Sequence, residues 1–232
     1  MILRNIPREN PGLFETVLNE YGIKYQIVDW VNEFTVVHPE KNGALVVLGG
    51  PDSANDNNPK IQSESAFIEE AIRANVPFLG ICLGLQLFVK TLGGKVVRCK
   101  VAETGFRDRD GDFYKIKLTD AGKRDKLFCS LPEDLNVFQL HGETVEIIPG
   151  MAILATGKYC NNQAIRFGDK AYGIQAHFEL TDSLLDSWIK EDSDLHKLDE
   201  NQLRSDYKLL KPGYQNTGRI IINNFLSIAG YI

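Results

Sequence analysis

Cysteine is scarce in this 232-residue chain, and its four copies, Cys82, Cys99, Cys129 and Cys160, never form a Cys-x-x-Cys pair. Neither a disulfide framework nor a closely spaced thiolate metal site is expected. No His/Cys/Asp group has metal-ligand spacing, so no metal is expected. A Gly-x-x-x-x-Gly-Lys loop is also missing, and no cofactor is expected. The longest apolar run, Pro77 to Val89, is interrupted by Gly80, Gly84 and Gln86, and falls short of the roughly 20 residues that span a bilayer. The first residues lack the basic, apolar and small-residue regions of a secretory leader, which points to the cytoplasm and away from a membrane. Lys and Arg do not cluster and the net charge is −5, so a nucleic-acid partner is not expected. What remains, 43% apolar and 25% charged residues, is ordinary globular composition over a length that can bury a large core.

The first hundred residues alternate buried-strand and amphipathic-helix patterns. Ile2–Ile6, Tyr25–Val28, Ala44–Leu48 and Pro77–Ile81 read as strands; Pro11–Tyr21, Ile61–Ala74 and the stretch after Cys82 up to Gly93 read as helices. The uninterrupted apolar character of Ala44–Leu48 is that of a strand covered on both faces. This rhythm predicts an α/β fold with an open, mostly parallel central sheet flanked by helices, as in flavodoxin-like proteins. From Lys95 to Ile174 short β-like runs follow, expected as added antiparallel strands on that sheet. Thr181–Lys190 reads as a helix capped by Thr181 or Asp182. One domain over 1–232 is expected, with a polar, irregular surface insertion at 193–216; Ile220–Ile228 reads equally as helix or strand.

Gly80-Ile81-Cys82-Leu83-Gly84 sits where a buried strand turns into a helix. Such a sharp turn lifts its central side chain out of the sheet, the glycines remove clashing side chains, and the helix N-terminus favours a thiolate. Composition alone predicts only about 0.03 Gly-x-Cys-x-Gly matches in this chain. Cys82 is therefore read as a nucleophile. It needs an imidazole and an orienting carboxylate. Three histidines precede a Glu by two positions: His38, His141 and His177. Sites on open parallel sheets form at the carboxyl ends of strands. His38 precedes a strand and is set aside. His141 and His177 each follow one; His177, directly off Tyr172–Gln175, is preferred as base with Glu179 as orienter. His196 falls in the polar segment. The oxyanion formed on attack needs backbone donors. Leu83, after the nucleophile, supplies one, and the Leu48-Gly49-Gly50-Pro51 loop is placed to supply another.

Together, Gly80-Ile81-Cys82-Leu83-Gly84-Leu85-Gln86, Gly49-Gly50-Pro51 and Gln175-Ala176-His177-Phe178-Glu179 resemble the motifs of the class I glutamine amidotransferases, in the family's chain order. Gly49–Pro59 and Val137–Glu143 are similar to stand-alone domains related to the glutaminase part of GMP synthase. The resemblance implies a Cys82-His177-Glu179 triad and an oxyanion hole from Gly50 and Leu83. It also implies substrate contacts from Gln86, His141 and Gly142. The implied reaction is hydrolysis of the glutamine side-chain amide through a cysteinyl thioester, with ammonia passing to a separate synthase subunit. Phe178 replaces the proline usual between the triad His and Glu. That departure, and the lack of a following synthetase, leaves a γ-glutamyl peptidase or hydrolase as the alternative; a non-catalytic binding subunit is the third reading.

Overall fold

A computed structural model describes residues 1–30 and 43–232; His38 lies outside them. In chain order the elements are β1 (Ile2–Arg4), α1 (Leu13–Glu20), β2 (Ile27–Asp29), β3 (Leu45–Val47), α2 (Pro59–Arg73), β4 (Phe78–Ile81), α3 (Leu83–Thr91), β5 (Lys95–Gly105), β6 (Lys115–Leu118), α4 (Asp120–Lys123), β7 (Asp134–Asn136), β8 (Gln139–Glu146), β9 (Met151–Gly157), β10 (Ala164–Phe167), β11 (Ala171–Ile174), α5 (Asp182–Glu191) and α6 (Glu200–Ile228). Among the described residues no helix is long and apolar enough to cross a membrane.

Nine strands form one sheet in the order β2-β1-β3-β4-β11-β10-β9-β6-β7. The first five run parallel, and β10, β9, β6 and β7 extend the sheet antiparallel. This is the α/β architecture read from the sequence. Successive residues serve opposite faces, as the strand period requires. Ile2, Val46 and Leu79 join Phe14 of α1 and Ile222 and Phe225 of α6, whereas Leu3, Val47 and Phe78 join Ile68 of α2 and Phe88 of α3. Sequence caps set the helix starts: Asn58 accepts from the Ile61 amide ahead of Pro59, and Thr181 accepts from Leu184.

Two expectations are corrected. β5 and β8 leave the central sheet and pair with each other as a separate antiparallel ribbon, whose register shifts between Arg98 and Glu103. The segment 193–216, read as irregular, holds a short 3-10 turn at Leu195–Lys197 and the first half of α6. Lys211-Pro212-Gly213 looks like a break, yet the 29-residue helix runs through Pro212. The reason is tertiary. Leu203, Tyr207 and Tyr214 share one buried face, where the two tyrosine rings meet Phe106. Burial of that face outweighs the cost of a proline lacking its amide donor. The undecided Ile220–Ile228 is the end of the same helix.

α2 carries a buried acid, Glu64, which accepts a hydrogen bond from Asn5 Nδ2 at 2.9 Å just beyond β1. Burial lifts its carboxyl to about 7, against the opposing pull of the Asn5 donor and the Lys60 charge. A carboxyl that holds its proton more tightly when folded loses its stabilising contribution as pH climbs through that interval, by roughly 3 kcal/mol at most. Glu64→Gln should therefore gain stability relative to the parent as pH rises from 4.5 to 8, read as a widening gap between urea midpoints. A gap independent of pH would contradict this origin.

Candidate active site

The turn between β4 and α3 is built by close approach of backbones. A Cβ on Gly80 would lie 2.5 Å from the Gly84 carbonyl, and one on Gly84 would lie 2.3 Å from Val47 O. With both positions bare, α3 starts flush against β3 and β4, and the connecting residue Cys82 takes φ 50°, ψ −104°. A non-glycine residue in this region carries on the order of 1–3 kcal/mol of strain, sustained here by the apolar burial of β4 and α3 on either side. The neighbouring strand completes the frame: β11 runs parallel to β4 with Ile174 opposite Ile81, and the Cys82 amide donates to Ile174 O at 2.8 Å. Residues leaving β4 and β11 therefore emerge side by side.

His177 follows β11 by three positions and shares the wall of one cleft with Cys82. Its Nδ1 lies 2.6 Å from Glu179 Oε1, leaving Nε2 for the thiol; the other Glu179 oxygen accepts from the Phe178 amide at 2.8 Å. Both side chains are buried. Burial alone would strip charge from the ring. The Glu179 carboxylate, its hydrogen bond to the ring and the nearby Cys82 outweigh it, so His177 holds a proton well above the usual imidazole range. The backbone around the ring is tied down: His177 and Phe138 exchange both amide–carbonyl bonds, and Tyr214 of α6 donates to His177 O at 3.0 Å. Trp188 of α5 meets the imidazole edge-on, with ring centroids 4.7 Å apart. These contacts do what the family's missing proline would otherwise do. Phe178 itself turns into the core against Phe14.

A cleft of about 290 Å3 opens over this pair, its wall including Gly50, Leu83, Gln86, Gly142 and His177. Gly50 and Leu83 sit together, since a Cβ on Gly50 would fall 3.1 Å from Leu83 Cδ2. Gln86 donates to Glu143 O at 3.0 Å and lies 3.5 Å from Gln175 Oε1, while Gln175 Nε2 reaches Cys82 Sγ at 3.6 Å. Leu140 O is 3.7 Å from the same sulfur. The backbone of β8 thus borders the cleft, but the His141 ring is buried toward Glu103, with Nε2 3.0 Å from Glu103 Oε2. His196 is remote from this group and bonds Lys190 O.

Sequence reasoning missed Glu9. It is buried in the cleft wall beside the glycine loop: a Cβ on Gly49 would lie 2.6 Å from Glu9 Oε2 and 3.2 Å from His177 Cε1. Burial raises its carboxyl to about 7, with the His177 charge opposing. The strand-end rule that singled out Cys82 applies equally to the loop after β1, and would have pointed there. It also missed Arg8, which pairs with Asp192 at 2.6 Å and ties that loop to the end of α5.

The arrangement can move a proton from Cys82 to His177 and keep it there while Glu179 is charged. Glu179→Gln preserves the shape and removes the charge, so Cys82 alkylation by iodoacetamide at pH 7 should slow about tenfold or more, the equivalent of one pKa unit. An unchanged rate would mean that Glu179 does not support the transfer.

Comparison with known proteins agrees with this geometry. The family described as glutamine amidotransferase class-I matches residues 13–193. A glutamine-hydrolyzing GMP synthase subunit of Thermococcus kodakarensis is 32% identical over 165 residues, covering 70% of this chain and 80% of that one. The glutamine amidotransferase-like protein YfeJ of Salmonella typhimurium is 30% identical over 151 residues, 63% of this chain and 60% of its own length. The match to the glutamine-hydrolyzing GMP synthase of Bacillus subtilis, 35% identical, spans only 25% of that protein. A crystal structure of a glutamine amidotransferase from Thermotoga maritima superposes with a TM-score of 0.85 at 27% identity, covering 97% of this chain and 96% of the other. The chain belongs to the class I glutamine amidotransferases.

Proposed function

We propose that this protein hydrolyses the side-chain amide of glutamine, and that Cys82, His177 and Glu179 carry the reaction. The observation that supports this most directly is that Cys82 and His177 share the wall of one open cleft, with the His177 ring bonded to the buried Glu179. Cys82 passes its proton to His177 and attacks the amide carbon. The oxyanion is held by the Gly50 and Leu83 amides, donors fixed in advance of the charge they meet. His177 then protonates the departing nitrogen, leaving a γ-glutamyl thioester and ammonia. Water, deprotonated by His177, cleaves the thioester to glutamate and restores the thiol.

Gln86 and Gly142 contact the amino-acid end of the substrate. His141 lines the same end of the cleft beside Gly142, with its ring turned to Glu103. The ammonia goes to a separate synthase subunit, a role in keeping with the name of the Thermococcus kodakarensis relative. The cytoplasm is the expected compartment.

The test is a panel of glutamine and γ-glutamyl dipeptides, with mass detection of the acyl-enzyme on Cys82 and Cys82→Ala as control. Glutamine should give the adduct and release ammonia, and Cys82→Ala should lower turnover by about 10³-fold or more. Turnover of the dipeptides with none of glutamine would replace this reading by a γ-glutamyl hydrolase. No adduct with either would end both.

A further inference from the structure

A second Cys-His-Glu group lies behind the cleft, made of residues other than the triad. Glu103 of β5, His141 of β8 and Cys160 in the turn between β9 and β10 are all buried, and one donor atom from each lies within 4.8 Å of the others. Glu103 and His141 are direct cross-strand partners in the ribbon. Cys160 comes from the antiparallel half of the main sheet.

The hydrogen bonds around the group set its chemistry. His141 Nδ1 lies 3.0 Å from Glu143 O and 3.5 Å from Cys99 Sγ; the carbonyl can only accept, so Nδ1 serves as a donor and Nε2 is the ring atom that faces Glu103. Nε2 is 3.0 Å from Glu103 Oε2, yet it is buried and makes no hydrogen bond. An imidazole nitrogen and a carboxylate oxygen side by side inside the protein are both able to ligate a cation. Among the described residues no Lys or Arg pairs with Glu103; its other polar contact is Gln163 Nε2, donating to Oε2 at 3.0 Å. Cys160 Sγ is held by Thr144 Oγ1 at 3.0 Å. An imidazole oriented through Nδ1–H on a carbonyl, with a carboxylate and a sulfur each fixed by a neutral partner, is the way proteins orient metal ligands.

We propose that Glu103, His141 Nε2 and Cys160 Sγ bind one borderline-soft divalent cation of the zinc class. One sulfur, one imidazole and one carboxylate suit Zn²⁺ and exclude Mg²⁺ and Ca²⁺, which take oxygen. Tetrahedral ligands around Zn²⁺ stand about 3.5 Å apart, so from a spread of at most 4.8 Å the donors close by about 1.3 Å at most, while the His141–Glu103 pair at 3.0 Å opens slightly. On binding, the Cys160 S–H bond is replaced by a sulfur–metal bond and the proton leaves to solvent. The ion would pin the β5–β8 ribbon to the β9–β10 turn, behind the strand whose Leu140 carbonyl touches Cys82. Its binding does not depend on the reaction at Cys82. Sequence spacing could not show the site, since the ligands are spread from 103 to 160.

The experiment uses the full chain carrying Cys82→Ser, so that the candidate nucleophile cannot bind metal. Titration with Co²⁺ should saturate at one equivalent, with a thiolate-to-cobalt charge-transfer band and the visible bands of a tetrahedral ion, both abolished by Zn²⁺. Adding Cys160→Ser should remove the charge-transfer band and weaken Co²⁺ binding at least about tenfold. No stoichiometric binding, or a band that survives Cys160→Ser, overturns the proposal. Should the double variant fail to fold by circular dichroism, the His141 ring ¹⁵N signals of the Cys82→Ser protein decide. A shift of Nε2 with one equivalent of Zn²⁺ supports the site. An Nε2 that does not move shows a proton shared by His141 and Glu103 instead.

Discussion

The close contact of α3 with the strands beneath it is the constraint on which the site depends. Gly80 and Gly84 let the helix begin with its backbone against Val47 O and β4, and the connecting Cys82 is then forced into a left-handed conformation. Any side chain at either glycine would move the helix away. The thiol would then leave the mouth of β11, and Leu83, which follows at once, would move with it. Geometry at this turn is inherited from packing, and is as rigid as the core that encloses it.

The imidazole depends on a different part of the molecule. His177 emerges from β11 beside the turn, but its orientation comes from Glu179 on one side, the Phe138 backbone on another, and α5 and α6 around the outside. Enclosure by Trp188 and Tyr214 works against charge on the ring, and the Glu179 carboxylate beside it outweighs that cost. Glu9 adds a further titratable carboxyl at the same ring, at a pH close to neutral. His177 and Glu9 thus lie in one buried neighbourhood with Glu179, and the protonation of each is set by burial and by the charges around it. The α6 tyrosines that steady His177 lie within the segment that reads as solvent-exposed from composition.

Much of this is legible in the order of residues along the chain. Short apolar runs alternating with amphipathic stretches specify a parallel α/β sheet, because only strands covered on both faces tolerate such runs. Glycines around a cysteine at a strand–helix junction specify a sharp turn, and the strand-end rule points to the loop after β11 that carries His177. The ribbon of β5 and β8 was not legible: an alternating strand carries no label of its partner, and pairing is settled by which edges meet in three dimensions.

Local chemistry is thus what the chain determines alone: helix caps, buried strands, the elbow and the residue types at 82, 177 and 179, all set by neighbours within a few positions. Long-range partnership is what the tertiary structure decided. The helix through Pro212, the burial of the His141 ring against Glu103 and the approach of Glu9 to His177 each join residues far apart in sequence. Their physical reason is common: burial energy and charge act through space, and no spacing rule along the chain records which distant side chains will share a wall.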